Sequence, residues 1–303
     1  MKKLLIYLFG VVAFVVIADI VLGYALDRYM KNHQLPGDCA SIDYTIKNLD
    51  EEVVILGNSV VLNSLMPSVL TDTLGMSVYN AAANGQSLDF FYTMLDCITR
   101  RHKPKVVILG LRDELFTTDG VGVRYNILAP YYGMGYRVLD SCMNVSGKYA
   151  EIMMKSTFLR YNSIWWRILL YHFVTPNEQG EQGFIAKPKP NYPPEKVTVT
   201  KNPEPKQSRI DVLNRIINIC RKNGIKLIAI TPPVYYRCPD DNKVVKKVTE
   251  ILKSNDIPFI DDYQHPYYQE HSELFYDGGH LNGEGALKYS KEKSSQLKDL
   301  IKK

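Results

Sequence analysis

The sequence predicts a doubly wound α/β fold with a mostly parallel, flavodoxin-like sheet, attached to a transmembrane helix. Short apolar runs recur along the 303-residue chain, and they lack the polar–apolar alternation of strands with one face in water. Segments of helical spacing separate these runs, which is the pattern of a three-layer α/β/α protein. A longer apolar run at the N-terminus has the length of a bilayer span.

The N-terminal run extends from residue 4 to residue 22, and Asp19 is its single charge. About 20 apolar residues suffice to cross a bilayer as a helix. Because two lysines precede the run, we expect the N-terminus in the cytoplasm and the rest of the chain outside it, in the periplasm or at the cell surface. Residues 1–26 are therefore predicted to be a retained, single-pass signal anchor, and a signal peptide cleaved after the run is the alternative.

The rest of the chain is predicted to be one domain behind a short connector. Residues 27–48 form the juxtamembrane connector, and residues 49–303 form the α/β domain. Within it, residues from about 117 to 205 break the strand–helix rhythm, with an aromatic, helical first part and a last part rich in Pro, Lys, Gln and Asn. We interpret this stretch as an insertion beside the active site, with a purely structural subdomain as an equal alternative.

The α/β pattern gives specific boundaries. The predicted strands cover residues 53–57, 77–80, 105–110, 226–231 and 258–261. The predicted helices cover residues 64–74, 88–101, 210–223, 242–255 and 284–302, with Gly224 ending the third and Asn282 capping the last. Ligands of such sheets bind at the carboxyl ends of the strands, so chemistry is expected in the residues that follow each strand.

Charge and composition disfavour several function classes. The net charge is +5, but basic and acidic residues are mixed along the chain, and no long basic run with aromatics indicates nucleic-acid binding. The spacing of His, Asp and Cys matches no metal motif, and no cofactor is predicted. The lysines near the C-terminus are expected to form a solvated helix face, with contact to a membrane surface as a minor alternative. These lysines are Lys288, Lys291, Lys293, Lys298, Lys302 and Lys303.

Three strand-end residues suggest nucleophilic catalysis. Ser59 follows the first predicted strand, and Asp277 and His280 precede the last predicted helix. A serine hydroxyl needs a base to remove its proton, an imidazole suits that role, and a carboxylate fixes the imidazole tautomer. Each element alone is weak, because a serine at a helix start is most often an N-cap. Their joint placement at one end of one sheet predicts a catalytic triad.

An oxyanion hole is expected beside the triad. Gly85 follows the second predicted strand, and a glycine there lets the backbone approach a substrate closely. The N–H groups of Ser59 and Gly85 are therefore the candidate donors to an oxyanion.

These blocks resemble the SGNH (GDSL-like) hydrolase superfamily over residues 52–116 and 210–302. Gly57-Asn58-Ser59 matches its nucleophile motif, Gly85 its oxyanion glycine, and Asp277 with His280 its Asp-x-x-His block. The layout around residues 79–110 is similar to a membrane-attached subgroup, and that resemblance implies cell-envelope polysaccharides as substrates. The third block departs from the family, because Gly110-Leu111-Arg112-Asp113 lacks its oxyanion Asn.

The departure leaves two roles open. Asn84 is a substitute oxyanion donor, unless backbone groups alone form the hole. Arg112 is a candidate to orient an acidic group of the substrate, with a structural salt bridge as the equal alternative.

The predicted function is an extracytoplasmic serine esterase or O-acyltransferase that acts on a carbohydrate ester through an acyl-enzyme. The alternative is a catalytically inactive SGNH-like protein that binds glycan or organises envelope assembly.

Overall fold

A computed structural model describes residues 1–33, 39–118, 127–144, 153–161, 164–166, 169–170, 181–239 and 241–302. The chain divides into two compact units. Residues 1–43 and 124–178 form the first, called here the N-terminal unit, and residues 44–123 and 179–303 form the second, called here the α/β unit.

The helices of the described residues are α1 (Lys2–Asn32), α2 (Ala40–Lys47), α3 (Ser59–Leu62), α4 (Pro67–Leu74), α5 (Leu88–Thr99), α6 (Glu114–Thr117), α7 (Arg137–Asn144), α8 (Thr157–Arg160), α9 (Gln207–Asn223), α10 (Lys243–Ser254), α11 (Pro266–Glu270) and α12 (Gly283–Lys302). Short 3-10 helices cover Ala129–Tyr131 and Ser272–Leu274. The strands are β1 (Val53–Leu56), β2 (Val78–Asn80), β3 (Val106–Gly110), β4 (Val197–Thr198), β5 (Lys226–Thr231), β6 (Tyr236–Arg237), β7 (Phe259–Asp261), β8 (Phe275–Asp277) and β9 (His280–Leu281).

The central sheet has the order β2-β1-β3-β5-β7, and each neighbouring pair is parallel. Its helices form two layers, since α4 packs against α12 and α5 packs against α9. The predicted doubly wound α/β fold is therefore confirmed. The strand order reverses between β1 and β3, and ligands of such sheets bind at the carboxyl ends of the strands beside this reversal. Ser59 follows β1, so it lies at this place.

Burial explains the sequence pattern of the strands. The side chains of β1, β2 and β3 are buried along their full length, which is why these strands read as unbroken apolar runs. The predicted helix ends are also found. Gly224 follows α9 in the left-handed conformation, with φ of 67°, and the Asn282 side chain accepts a hydrogen bond from the Gly285 N–H at 3.0 Å.

The predicted insertion, residues 117–205, falls into both units. Residues 124–178 belong to the N-terminal unit, whereas residues from 179 onward belong to the α/β unit. The second part is held to the sheet, because the Asn80 N–H donates to the Gln182 carbonyl at 3.0 Å. Gly183 follows with φ of 86°, and a Cβ there would lie 2.1 Å from the Asn80 carbonyl oxygen.

The expectation that the C-terminal lysines form a solvated helix face is wrong at Lys293, and Lys303 lies outside the described residues. The Lys293 side chain is buried, and its ammonium lies 2.9 Å from Asp262 Oδ2 and 2.9 Å from Glu292 Oε1. Asp262 is also buried and accepts a further hydrogen bond from the Tyr289 hydroxyl at 2.9 Å. A lysine is expected in water by residue type, but at about 3.6 residues per turn Lys293 lies on the opposite face of α12 from Lys288 and Lys291, where it contacts a buried carboxylate.

We expect Lys293→Ala to lower the free energy of unfolding by about 3–5 kcal/mol, because it leaves the Asp262 carboxylate buried without its cation. Urea denaturation followed by circular dichroism measures this change. Lys291→Ala is the matched control, since Lys291 is exposed on the same helix, and it is expected to change stability by less than about 0.5 kcal/mol. Equal effects of the two substitutions would contradict the buried ion pair.

Candidate active site

The nucleophile candidate lies at a fixed turn between β1 and α3. Asn58 precedes Ser59, and its side-chain oxygen accepts from the Val60 N–H at 3.1 Å. The Asn58 amide nitrogen donates to Glu114 Oε1 at 3.1 Å. These two bonds hold the start of α3, so the Ser59 side chain, at its first turn, is presented at the carboxyl edge of the sheet.

Two glycines allow α3 to pack closely on the strand ends. A Cβ at Gly110 would lie 1.8 Å from Val61 Cγ2, and a Cβ at Gly57 would lie 2.9 Å from the same atom. Any side chain at either position would displace α3. The glycines that end the first and third predicted strands therefore position the helix that carries Ser59.

A tight hairpin carries the other two candidates. Asp277 ends β8, His280 begins β9, and the two strands pair antiparallel. The Gly279 N–H donates to Asp277 Oδ1 at 2.8 Å, which fixes the carboxylate within the turn. A Cβ at Gly278 would lie 2.2 Å from the Tyr236 ring, so glycine is needed there for the ring to pack against the hairpin.

The three side chains form one hydrogen-bonded chain. Ser59 Oγ lies 2.8 Å from His280 Nε2. On the other side of the ring, His280 Nδ1 lies 2.8 Å from Asp277 Oδ1 and 3.0 Å from Oδ2. An ionised carboxylate only accepts, so Nδ1 carries the proton and Nε2 is left to accept from the Ser59 hydroxyl. This is the arrangement of nucleophile, base and orienting acid in serine hydrolases.

The Asp277 carboxylate is held in its charged form. Burial raises its pKa, but the hydrogen bonds from the His280 ring and the Gly279 N–H outweigh burial, and the pKa of Asp277 lies below its ordinary value of 3.8. Because the pKa is lowered in the folded state, Asp277 stabilises the fold at neutral pH, and this contribution is lost as the pH falls through the lowered pKa. The carboxylate is thus ionised wherever the imidazole acts as a base.

The segment after β2 lies beside the nucleophile turn. The Ala83 N–H donates to the Gly57 carbonyl at 3.0 Å, and Gly85 and Ser59 each follow two residues later. Gly85 has φ of 65°, a left-handed conformation that glycine adopts without strain. Asn84 and Gly85 are exposed. Asn84 and Gly85 therefore follow the carboxyl end of β2, at the same edge of the sheet as Ser59.

Arg112 lies behind the hairpin. Its side chain is buried, Nη1 is 3.5 Å from the Gly279 carbonyl oxygen, and Nε is 3.9 Å from Glu114 Oε1. Its guanidinium carbon lies within about 6 Å of the Tyr236 and Tyr263 ring centres. Among the described residues, the buried Nε has no hydrogen-bond partner. These contacts agree with the alternative role given above for Arg112, a structural salt bridge. They place Arg112 where it supports the Asp277–His280 turn.

Sequence reasoning missed two groups that shape the site. Tyr236, from β6, packs on the glycines of the hairpin, and burial raises the pKa of its hydroxyl. Asn58 and Glu114 form the hydrogen bond that joins the turns after β1 and β3. No sequence motif points to Tyr236. Asn58 and Glu114 could have been proposed as site residues, because both lie shortly after predicted strands.

The parallel strand order and the hydrogen-bonded series of Ser59, His280 and Asp277 define a doubly wound α/β protein with a serine–histidine–aspartate arrangement at the carboxyl edge of its sheet. No protein-family model and no curated protein sequence matches the chain.

Solved structures to which this chain is similar include three bacterial proteins. A proposed acylhydrolase from Bacteroides fragilis is 12% identical over 90% of this chain and 93% of its own, with a TM-score of 0.37. A lipase/acylhydrolase from Enterococcus faecalis is 12% identical over 82% of this chain and 96% of its own, with a TM-score of 0.41. A GDSL-like lipase from Bacteroides thetaiotaomicron is 12% identical over 87% of this chain and 98% of its own, with a TM-score of 0.40.

Proposed function

We propose that this chain is a serine esterase or O-acyltransferase that acts through an acyl-enzyme on Ser59. The observation that carries the proposal is the continuous chain of hydrogen bonds from Ser59 Oγ through His280 to Asp277, with distances of 2.8 Å at both steps. In this series of hydrogen bonds, His280 Nε2 already accepts from the Ser59 hydroxyl, which is the ground-state geometry that proton removal requires.

The acylation step follows from these contacts. His280 Nε2 takes the Ser59 hydroxyl proton while Oγ attacks the carbonyl carbon of an ester. The oxyanion that forms accepts hydrogen bonds from the Ser59 and Gly85 N–H groups and from the Asn84 side chain. His280 then donates its proton to the leaving alcohol oxygen as the ester bond breaks. Asp277 stays ionised and stabilises the imidazolium between the two proton transfers.

The second half-reaction decides between the two activities. His280 removes a proton from the acceptor as the acceptor oxygen attacks the acyl carbonyl carbon. The bond between that carbon and Ser59 Oγ then breaks, and His280 returns the proton to Oγ. Water as acceptor gives an esterase, and a sugar hydroxyl gives an O-acyltransferase. We propose a carbohydrate ester of the cell envelope as the substrate, on the strength of the sequence resemblance. No cofactor takes part in these steps.

The location of this activity is part of the proposal. Residues 2–30 form a helix long and apolar enough to cross a membrane. Because Lys2 and Lys3 precede its apolar run, the positive-inside rule supports a cytoplasmic N-terminus and a catalytic domain outside the cytoplasm. A reporter enzyme fused to the C-terminus is expected to be active only outside the cytoplasm.

The test is acyl release from a panel of acetylated sugars by the full chain in detergent, with and without an unacetylated sugar acceptor. Release into water supports the esterase, and acceptor-dependent transfer of the acyl group supports the acyltransferase. Glycan binding without release, and without labelling of Ser59 by a fluorophosphonate, would instead establish the inactive glycan-binding alternative.

We expect Asn84→Ala to lower kcat by about 10²- to 10³-fold, because a side-chain donor to the oxyanion acts in the transition state. KM is expected to change little, because the substrate carbonyl carries no full charge before attack. Steady-state kinetics on an activated acetyl ester measure both constants. Asn191→Ala is the control, since Asn191 is also exposed on the α/β unit. An unchanged kcat in Asn84→Ala would assign the oxyanion hole to backbone groups alone.

A further inference from the structure

The N-terminal unit joins the apolar helix to a distant part of the chain. Asp19, Gly23 and Asp27 are four residues apart on α1, so they lie along one face of the helix. Each of the three contacts residues between 156 and 161. The face of α1 that carries its acidic residues is therefore occupied by a second segment.

The first contact satisfies the charge within the apolar run. Asp19 accepts from Ser156 Oγ at 2.7 Å, from the Phe158 N–H at 2.8 Å and from the Thr157 N–H at 3.2 Å. A lone carboxylate inside hydrocarbon costs several kcal/mol, and its cost falls when polar donors surround it. Asp19 fits an apolar environment because residues 156–158 supply three donors.

The other two contacts continue along the same face. A Cβ at Gly23 would lie 2.2 Å from Thr157 Cβ, so the missing side chain is what allows close approach. One helical turn further on, Asp27 accepts from the Tyr161 hydroxyl at 2.8 Å and lies 3.4 Å from Arg160 Nη2. The segment thus follows α1 over two helical turns.

The position of these contacts along α1 determines how deep each of them lies in a bilayer that α1 spans. A hydrocarbon layer about 30 Å thick takes about 20 helical residues, at a rise of about 1.5 Å per residue. If Lys2 and Lys3 mark one boundary, the other boundary lies near Gly23. Asp19 is then one turn inside the hydrocarbon, and Asp27 is one turn outside it. Residues 156–161 therefore cross the boundary between hydrocarbon and headgroups.

The side chains that follow are suited to that boundary. Trp166 is 53% exposed and Leu169 is 56% exposed, and Phe158 and Leu170 are exposed as well. The Phe158 and Trp165 rings lie 6.0 Å apart. Tryptophan is enriched where hydrocarbon meets headgroups, and exposed apolar side chains in continuity with a membrane span are best accommodated by lipid.

We infer that residues 156–161, 164–166 and 169–170 form a second membrane-contacting element, which is attached to α1 through Asp19, Gly23 and Asp27. It inserts Phe158, Trp166, Leu169 and Leu170 into the leaflet at the C-terminal end of α1. The inference rests on the proposed transmembrane role of α1. It assigns a lipid-binding function to the part of the predicted insertion that belongs to the N-terminal unit.

The sequence provides a direct probe of this inference. The chain contains 2 tryptophans, Trp165 and Trp166, so intrinsic tryptophan fluorescence reports on this segment alone. The full chain with Trp165→Phe is reconstituted into phosphatidylcholine vesicles with brominated acyl chains. We expect blue-shifted Trp166 emission, strong loss of intensity to the brominated lipid, and little loss to acrylamide in the aqueous phase.

A matched reporter calibrates the quenching. The variant Trp165→Phe/Trp166→Phe/Tyr192→Trp carries its single tryptophan in the α/β unit, where Tyr192 is 86% exposed. Its emission is expected to be lost to acrylamide and unaffected by brominated lipid.

Alkaline extraction of the same vesicles separates the two proposals. If the chain resists extraction but acrylamide quenches Trp166 as strongly as the reporter at position 192, the inference is overturned and the anchor stands. Protection of Trp166 from both quenchers would show that protein covers the segment, which also overturns the inference. Release of the chain by alkali would overturn the anchor and the inference together.

Discussion

Ser59→Ala is expected to abolish ester turnover, with kcat lowered by about 10⁴- to 10⁶-fold, because it removes the hydroxyl oxygen that lies 2.8 Å from His280 Nε2. Covalent labelling by a fluorophosphonate is expected to disappear as well, since the probe reacts with an activated serine. In-gel fluorescence and hydrolysis of an activated acetyl ester measure the two effects.

The control for this substitution is Ser295→Ala, because Ser295 is exposed on α12. Labelling and turnover are expected to be unchanged in that variant. A thermal unfolding curve of each protein shows whether the loss of activity reflects unfolding. Labelling that persists in folded Ser59→Ala would assign the nucleophile to another residue and would contradict the proposed site.

Asp277→Asn is expected to lower kcat by about 10⁴-fold while leaving KM nearly unchanged. The asparagine amide can donate to His280 Nδ1, which transfers the ring proton to Nε2 and leaves no acceptor for the Ser59 hydroxyl. The 2.8 Å contact between Asp277 Oδ1 and His280 Nδ1 is what makes this tautomer change possible.

The pH dependence gives a second measurement at the same position. The pKa of Asp277 lies below its ordinary value of 3.8, so its carboxylate stays ionised down to about pH 4 and its protonation should not limit turnover above that pH. The pH profiles of the native chain and of Asp277→Asn are therefore expected to have the same shape between pH 4 and pH 8. Asp299→Asn, an exposed substitution on α12, is the control for both experiments. Native-like kcat in Asp277→Asn would remove Asp277 from the proposed mechanism.

Local sequence signals predicted the elements of the α/β unit because those signals act at short range. The apolar runs at β1, β3 and β5 are each confirmed as strands, since the buried part of each strand needs apolar side chains on both faces of the sheet. Gly224 and Asn282 marked a helix end and a helix start because backbone conformation and capping depend on the residue itself.

Contacts between distant residues could not be derived in the same way. The buried pair of Lys293 and Asp262 joins residues 31 positions apart, and residue type alone predicted that lysine in water. The packing of Tyr236 on the Asp277–His280 hairpin and the position of Arg112 behind it likewise depend on strands that meet only in the folded sheet.

The sequence by itself determined the fold class, the apolar helix and the choice of Ser59, Asp277 and His280 as candidate site residues. These features depend on the type of each residue and on its near neighbours in the sequence. The tertiary structure alone decided that Ser59 and His280, 221 positions apart, lie within hydrogen-bond distance. It also decided that the predicted insertion divides between two units. Both outcomes depend on long-range packing, because the tertiary fold determines which residues distant in the sequence come into contact.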